Sequence, residues 1–225
     1  MKKRTVALLM AVVMLFGAAV GGTIAWLTAE TDEVVNTFTV GDINIELDET
    51  DVDNSTEGKD RDKANEYKLI PGTTYVKDPI VRVLPNSEKS YVFIQIEEKN
   101  NVIDETTIIE FTKNTTGWTP YAAGTNENAG VYVYYQIVNA TDKDTTWSSE
   151  SLLTEYTKQG TDPVEKYNIT INDELTKTQL ETINGLAADA KPELVFKACA
   201  IQFDNLGVDE AWGLANPLLN PPVNP

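Results

Sequence analysis

The strongest constraint on the fold of this chain is a series of segments that alternate as β-strands do. In the clearest, Ser90–Glu97 (SYVFIQIE), aromatic Tyr91 and Phe93 alternate with aliphatic residues. Such period-two alternation is typical of a pleated strand. Further strands are predicted at Phe38–Leu47, Thr74–Val83, Thr106–Thr112, Val131–Asn139, Tyr167–Ile171 and Pro192–Asn205. Pro79 makes the second of these an edge or bulged strand, because proline cannot donate to a ladder.

The pattern changes to helical spacing near the end of the chain. In Asp173–Ala188 the apolar residues recur every three or four positions, which predicts an amphipathic helix packed on a sheet. Val208–Leu214 predicts a helical turn that places Trp212 against the body of the protein. About eight strands and one late helix predict an all-β domain over residues 38–215, a jelly-roll-like two-sheet β-sandwich. Residues 216–225 are predicted to be a proline-rich C-terminal tail.

The first 25 residues have the layout of a signal peptide. A basic start, Lys2–Arg4, precedes the apolar stretch Val6–Val20, which predicts an N-terminal signal-peptide helix. The whole uncharged run, Thr5–Ala29, is also long enough to span a bilayer, which leaves a membrane anchor as the alternative. Glycines at the end of the run interrupt it, and no basic cluster follows, so cleavage is favoured. The chain then contacts the membrane only during export.

The predicted cleavage point follows Ala25. Thr23 and Ala25 are the small residues that a signal peptidase requires before the cut, and Trp26 becomes the new N-terminus. Cleavage after Ala29 is the second possibility. Residues 26–37 then form the first segment of the mature chain, ahead of the predicted strand that begins at Phe38.

The charge and the residue types exclude several functions. The chain carries a net charge of −17 and contains no histidine. The negative charge disfavours nucleic-acid binding, because phosphates would be repelled. Without histidine there is no Ser-His-Asp or Cys-His catalysis and no HExxH zinc site. We therefore predict no enzymatic activity and no cofactor.

The single cysteine, Cys199, lies in the apolar run LVFKACAIQF and cannot form an internal disulfide. A free cysteine in such a run is typical of a buried core position. A reactive or intermolecular thiol is the alternative interpretation.

An acidic, charge-dense stretch follows the first strand at Asp48–Glu66 and predicts an exposed loop. Its Asp48, Asp51 and Asp53 are a weak candidate for loose calcium binding. Their spacing does not match an EF-hand loop, so a solvated loop is the favoured interpretation and we predict no metal site.

Three stretches together resemble a known family of secreted proteins. The first, Gly21–Leu47, has a Gly-Gly-Thr leader end followed by an Asn-Thr-Phe-Thr-x-Gly strand. The second, Leu69–Ile96, has a Pro-Gly turn, a lysine-containing strand and a long following strand. The third joins FKACAIQFDN with the later DEAW. They resemble the TasA/camelysin family of bacterial biofilm-matrix proteins, which depend on the dedicated signal peptidase SipW.

The resemblance implies a jelly-roll subunit that is exported, cleaved by a SipW-type signal peptidase and assembled into extracellular fibres. In fibre-forming members the freed N-terminal segment adds as a strand to the next subunit, so self-association is implied here. The donor would be Trp26–Val35, with Trp26, Leu27, Val34 and Val35 as anchoring residues. The expected location is the extracellular matrix or the cell surface.

Two alternatives to a fibre subunit remain open from the sequence. One is a non-polymerising exported surface or binding protein of the same fold, in which the N-terminal segment is an unstructured tail. The other is an enzyme, since some relatives are described as metalloproteases. The absence of histidine is at odds with that activity.

Overall fold

Antiparallel strand pairing forms most of this protein's regular structure. The computed structural model describes residues 42–54, 60–158, 160–161 and 163–222. In these ranges the strands are β1 (Ile45–Thr50), β2 (Arg61–Asp62), β3 (Thr74–Tyr75), β4 (Ile80–Val83), β5 (Ser90–Lys99), β6 (Val102–Ile103), β7 (Thr106–Thr107), β8 (Ile109–Phe111), β9 (Thr119–Pro120), β10 (Val131–Val138), β11 (Trp147–Ser148), β12 (Tyr156–Thr157), β13 (Lys166–Tyr167), β14 (Ile169–Ile171) and β15 (Glu193–Gln202). The helices are α1 (Lys177–Asn184) and α2 (Val208–Leu219).

The strands form three sheets and two separate hairpins. The first sheet has the order β11-β4-β1-β2, the second β15-β5-β10-β9 and the third β3-β14-β8. The hairpins are β6–β7 and β12–β13. The fold is therefore mostly β, with several antiparallel sheets, and is consistent with the predicted all-β sandwich.

β5 is the central strand of the second sheet. It pairs with β15 over ten residue pairs, from Ser90–Gln202 to Lys99–Glu193, and with β10 over eight. The long alternating segments predicted at these three places are confirmed as strands. The consecutive apolar residues of β5 reflect its burial on both faces, whereas half of the residues of β10 and most residues of β15 are half-buried.

The two faces of β5 border different cores. Val92, Ile94 and Ile96 pack with Val81 and Val83 of β4, so this core lies between the first and second sheets. Tyr91 and Phe93 point to the opposite face, where an aromatic cluster is covered by α2.

α2 closes the outer face of the second sheet. The ring of Trp212 lies 5.5 Å from that of Phe93 and 5.3 Å from that of Tyr121, measured between centroids. Trp212 therefore packs against the body as predicted. The helix continues to Leu219, past the boundary at residue 216 predicted for the C-terminal tail, because Leu219 is buried in the same cluster.

The residue after α2 is fixed to the central strand by a pair of amide hydrogen bonds. Gln95 Nε2 donates to Asn220 Oδ1 (2.9 Å), and Asn220 Nδ2 donates back to Gln95 Oε1 (3.0 Å). Gln95 is buried, so this reciprocal pair satisfies a side chain that would otherwise be costly to bury.

A third core lies around the third sheet and α1. It contains Ile108, Ile169, Ile171 and Ile183. α1 is shorter than the predicted Asp173–Ala188. The side chain of Thr176 accepts from the Gln179 N–H, and that of Gln179 accepts from the Thr176 N–H, so a capping box starts the helix.

Three predicted strands are interrupted, and one of them, Tyr167–Ile171, divides at Asn168 between β13 and β14. Thr74–Val83 divides into β3 and β4 on either side of residues 76–79, which include Pro79. Thr106–Thr112 divides at Ile108, whose N–H donates to the Asn101 carbonyl (2.9 Å) instead of to a strand partner. As a result β7 pairs with β6, whereas β8 pairs with β14.

Cys199 is buried in the aromatic cluster, which confirms that it is a core residue. Burial raises the pKa of its thiol to about 12.

Of the helices that the structure describes, neither combines the length and the hydropathy needed to cross a membrane.

Candidate functional site

A large groove runs between the first and second sheets. Its volume is about 1200 Å³. β1 and the segment from Arg61 to Leu69 form one wall, and β15 with the residues just before it forms the other. Ile109, Ile169 and Ile171 of the third sheet also line it. The groove therefore lies where all three sheets meet.

The two walls carry strand edges that have no partner among the described residues. β15 is the outermost strand of the second sheet and pairs only with β5. β1 pairs with β4 through Ile45–Asp48, but β2 covers its other edge only at Glu49 and Thr50. Unpaired edges expose backbone N–H and C=O groups that can bind a further strand. The β15 edge is ten residues long and pairs with no strand in the described ranges, whereas exposed sheet edges are usually kept short.

Each strand wall of the groove carries a row of apolar side chains, although ten of the residues that line the groove are charged. Half-buried Ile45 and Leu47 line the β1 wall, and half-buried Leu194, Phe196 and Ala198 line the β15 wall. Residues at alternate positions of each strand share one face. The groove thus offers two rows of apolar side chains and two free strand edges.

A buried ion pair interrupts this apolar lining. Lys77 Nζ lies 2.8 Å from Oε2 and 3.1 Å from Oε1 of Glu49. Lys77 is 8% exposed and Glu49 5% exposed. The ammonium also lies 5.2 Å from the ring centre of Tyr67 and 5.4 Å from that of Phe196, within the range of a cation–π contact.

Tyr67 lies beside the ion pair, and the pKa of its hydroxyl group responds to the burial and the negative charge there. Burial first, and then the negative charge of Glu49, raise the pKa of the Tyr67 hydroxyl above its ordinary value. That hydroxyl donates to the Val76 carbonyl at 3.2 Å. The tyrosine therefore serves as a neutral wall beside the ion pair.

Asp48, one of the candidate cation ligands, lies at the groove rim between two arginines. Its Oδ1 is 2.5 Å from Arg61 Nε, and its Oδ2 is 2.5 Å from Arg82 Nη1. Arg61 also contacts Asp78 at 3.0 Å. Burial alone would raise the pKa of Asp48, but the hydrogen bonds and charges of Arg82 and Arg61 hold it below its ordinary value. This network ties β2 to β1 and β4.

The other two candidate cation ligands, Asp51 and Asp53, make hydrogen bonds with the local backbone. The backbone N–H of Asp51 donates to the Asp60 carbonyl at 3.1 Å. The Asp53 carboxylate accepts from the Glu66 N–H at 2.6 Å. In the described ranges, no group of three or more Asp, Glu, Cys or His residues is arranged to hold a metal ion.

The remaining predicted site residues lie outside the described ranges. These are the cleavage residues Thr23 and Ala25 and the candidate donor residues Trp26, Leu27, Val34 and Val35. The structure thus presents the groove but not the segment that was predicted to enter one.

Sequence analysis missed the ion pair in the groove. Glu49 belongs to a stretch interpreted as a loop, but β1 continues through Thr50. Lys77 gave no distinctive signal, because Asp78 and Arg82 lie in the same predicted strand. Its partner is 28 positions away, and nothing in the sequence connects the two.

Comparison with known proteins identifies no relative. No protein-family model matches the chain, and neither does any curated protein or any solved structure.

Proposed function

We propose that this protein is a secreted structural subunit of an extracellular, biofilm-type matrix that assembles into fibres by strand donation. In this proposal a SipW-type signal peptidase removes the leader after Ala25. The freed segment Trp26–Val35 of one copy then enters the groove of the next. The subunit is a jelly-roll-like sandwich of the TasA/camelysin kind, without enzymatic activity.

The observation that carries the proposal is the groove with its two free strand edges. A strand inserted there gains main-chain hydrogen bonds from β1 or β15, while alternate side chains enter the apolar rows on either wall. The candidate donor, Trp26–Val35, has ten residues, the same number as β15. Its sequence also matches the leader-plus-strand pattern on which the family resemblance rests.

Two variants separate donor and acceptor functions. A donor-deleted form lacks Trp26–Val35 but keeps the groove. An acceptor-blocked form carries Ala198→Arg, which places a long charged side chain on the half-buried β15 wall. Ala129→Arg is the matched control, because Ala129 is exposed and does not line the groove.

The full chain would be expressed with its own leader in a host that exports it, and recovered from the medium. Mass spectrometry identifies the new N-terminus, and electron microscopy detects filaments. Each variant would be compared by thermal unfolding to show that it is folded. We expect filaments from the unsubstituted chain and from the Ala129→Arg form. We expect none from the donor-deleted form or from the acceptor-blocked form when each is alone.

Mixing the two defective forms gives the decisive result. The donor-deleted form has an intact groove and the acceptor-blocked form has an intact donor, so we expect them to combine one-to-one and stop. Filaments from the donor-deleted form would overturn strand donation. If the unsubstituted chain stays monomeric at every concentration, the protein is a non-polymerising surface or binding protein instead.

A further inference from the structure

We infer that the buried Lys77–Glu49 pair sets the register of the donated strand by binding the hydroxyl group of Thr31 from the neighbouring copy. The inference rests on the proposed function and names the residue that the groove selects. It concerns the register of the added strand. Backbone hydrogen bonds alone would allow the strand to bind in several registers, each with a different donor side chain over the ion pair.

The ion pair has hydrogen-bonding capacity that it does not use. An ammonium has three donors, and a carboxylate has about four acceptor positions. Lys77 Nζ donates to both oxygens of Glu49, and neither side-chain group has another hydrogen bond within the described part of the chain. The rings of Tyr67 and Phe196 also lie near the ammonium, with centroids at 5.2 Å and 5.4 Å.

A strand that covers the groove would remove the remaining access of water to this pair. Excluding water from buried charges without replacing its hydrogen bonds is costly. The side chain placed over the pair should therefore both donate and accept. A hydroxyl group does this in a small volume, since it can donate to Glu49 and accept from Lys77.

The donor sequence supplies one such group at the centre of one face. Strand alternation places five residues of the segment on the same side: Leu27, Ala29, Thr31, Glu33 and Val35. Thr31 lies four residues from each apolar end of this face. This face therefore carries an apolar, a small, a hydroxyl-bearing, an acidic and an apolar side chain in turn, with the hydroxyl midway between the two apolar ends.

Neighbouring registers fit less well. A shift of two residues moves the strand by about 7 Å and keeps the same face inward. It would place either Ala29 or Glu33 over the pair. Alanine supplies no hydrogen bond, and glutamate would bring a second carboxylate against a single ammonium. Among the registers that keep this face inward, the one that places Thr31 over the pair satisfies it, and the two neighbouring ones do not.

The test uses the secreted full chain with Thr31→Val, which keeps the shape of the side chain and removes the hydroxyl. Thr28→Val is the matched control, because alternation places Thr28 on the opposite face. The measured quantity is the critical concentration for assembly, with the N-terminus of each form confirmed by mass. Loss of hydrogen bonds to charged groups should raise that concentration about tenfold to a hundredfold for Thr31→Val and leave Thr28→Val unchanged.

A second pair of substitutions reverses the preference. Replacing both charges with unbranched apolar side chains, Lys77→Met with Glu49→Met, makes the floor of the groove apolar. In that background Thr31→Val should assemble at a lower concentration than the chain with Thr31. Thermal unfolding shows whether the double variant folds; if it does not, the comparison of Thr31→Val with Thr28→Val decides alone.

The outcomes separate this inference from the proposed function. Normal assembly of the unsubstituted chain with equal effects of Thr31→Val and Thr28→Val would overturn the register inference and leave strand donation standing. A larger loss from Glu33→Gln than from Thr31→Val would also overturn it, by showing that the acid faces the pair. Failure of the unsubstituted chain to assemble would overturn both.

Discussion

At the scale of single residues, charged side chains hold the groove walls in place. Both arginines that follow the leader, Arg61 and Arg82, contact Asp48. Arg61 also donates through Nη2 to the backbone carbonyls of Asp48 and Asp78, at 3.0 Å each. One guanidinium therefore fixes the position of two backbone segments, which is why the β1 wall needs a planar, multiply donating cation there.

This network predicts a pH-dependent contribution to stability. The pKa of Asp48 is lowered from 3.8 in the folded protein, so its contribution is present above that value. It is lost as the pH falls through the lowered pKa, because the unfolded chain then binds the proton more readily. Asp48→Asn should lower the free energy of unfolding by about 1–2 kcal/mol at pH 7, and the difference from the unsubstituted chain should shrink below about pH 4.

Urea unfolding between pH 7 and pH 2 measures this effect. Glu46→Gln is the control, since Glu46 lies on the same strand but its side chain is 54% exposed and 3.8 Å from Arg82. It should change stability by less than about 0.5 kcal/mol. A constant difference between Asp48→Asn and the unsubstituted chain at every pH would contradict the assignment.

At the scale of secondary-structure elements, α2 is part of the core and not the beginning of a tail. Leu219 is 3% exposed, whereas its neighbour Leu218 is 64% exposed. We expect Leu219→Ala to lower the free energy of unfolding by about 3 kcal/mol, through lost burial and the cavity left behind. Leu218→Ala should change it by less than about 0.5 kcal/mol. Equal effects in chemical denaturation would show that the helix end is not packed.

The elements that sequence analysis predicted well are those whose pattern is local. β5, β10 and β15 are long, and burial of β5 on both faces leaves an apolar run with alternating aromatic residues in Ser90–Lys99. Trp212 was predicted to pack on the body from the helical turn Val208–Leu214, which is a local pattern. The prolines of residues 216–225 had predicted a tail, but the helix extends to Leu219.

The groove could not be predicted in the same way, because it depends on which strands lie at sheet edges. β1 and β15 are about 150 positions apart in the chain, and only the sheet order shows that both present free edges to one space. The role of Asp48 was equally hidden. An aspartate that binds arginine side chains cannot be told from one that binds a metal cation by its sequence neighbours. Only the positions of Arg61 and Arg82 in the fold show which role Asp48 has.

At the scale of the whole molecule, charge opposes the association that the groove would support. The whole chain has a net charge of −17, and cleavage after Ala25 makes each copy more negative by removing Lys2, Lys3 and Arg4, so copies repel each other before any strand contacts a groove. Because salt screens charges beyond about 10 Å at 0.1 M, raising NaCl from about 20 mM to about 500 mM should accelerate assembly about tenfold. Light scattering over time measures the rate. A rate that falls with salt would show that attraction between opposite charges dominates the encounter.

The asymmetry of the groove has a consequence for any assembly built through it. The strand edges that would receive a donor belong to β1 and β15, whereas the donor would come from the sequence before them. Each contact would then join unlike surfaces, and such head-to-tail contacts extend without closing unless their rotation forms a ring. A fibre of this kind is polar. One terminal subunit keeps an unfilled groove and the other keeps an unused strand, so growth from the two ends is chemically different and a molecule that fills the groove would cap only one of them.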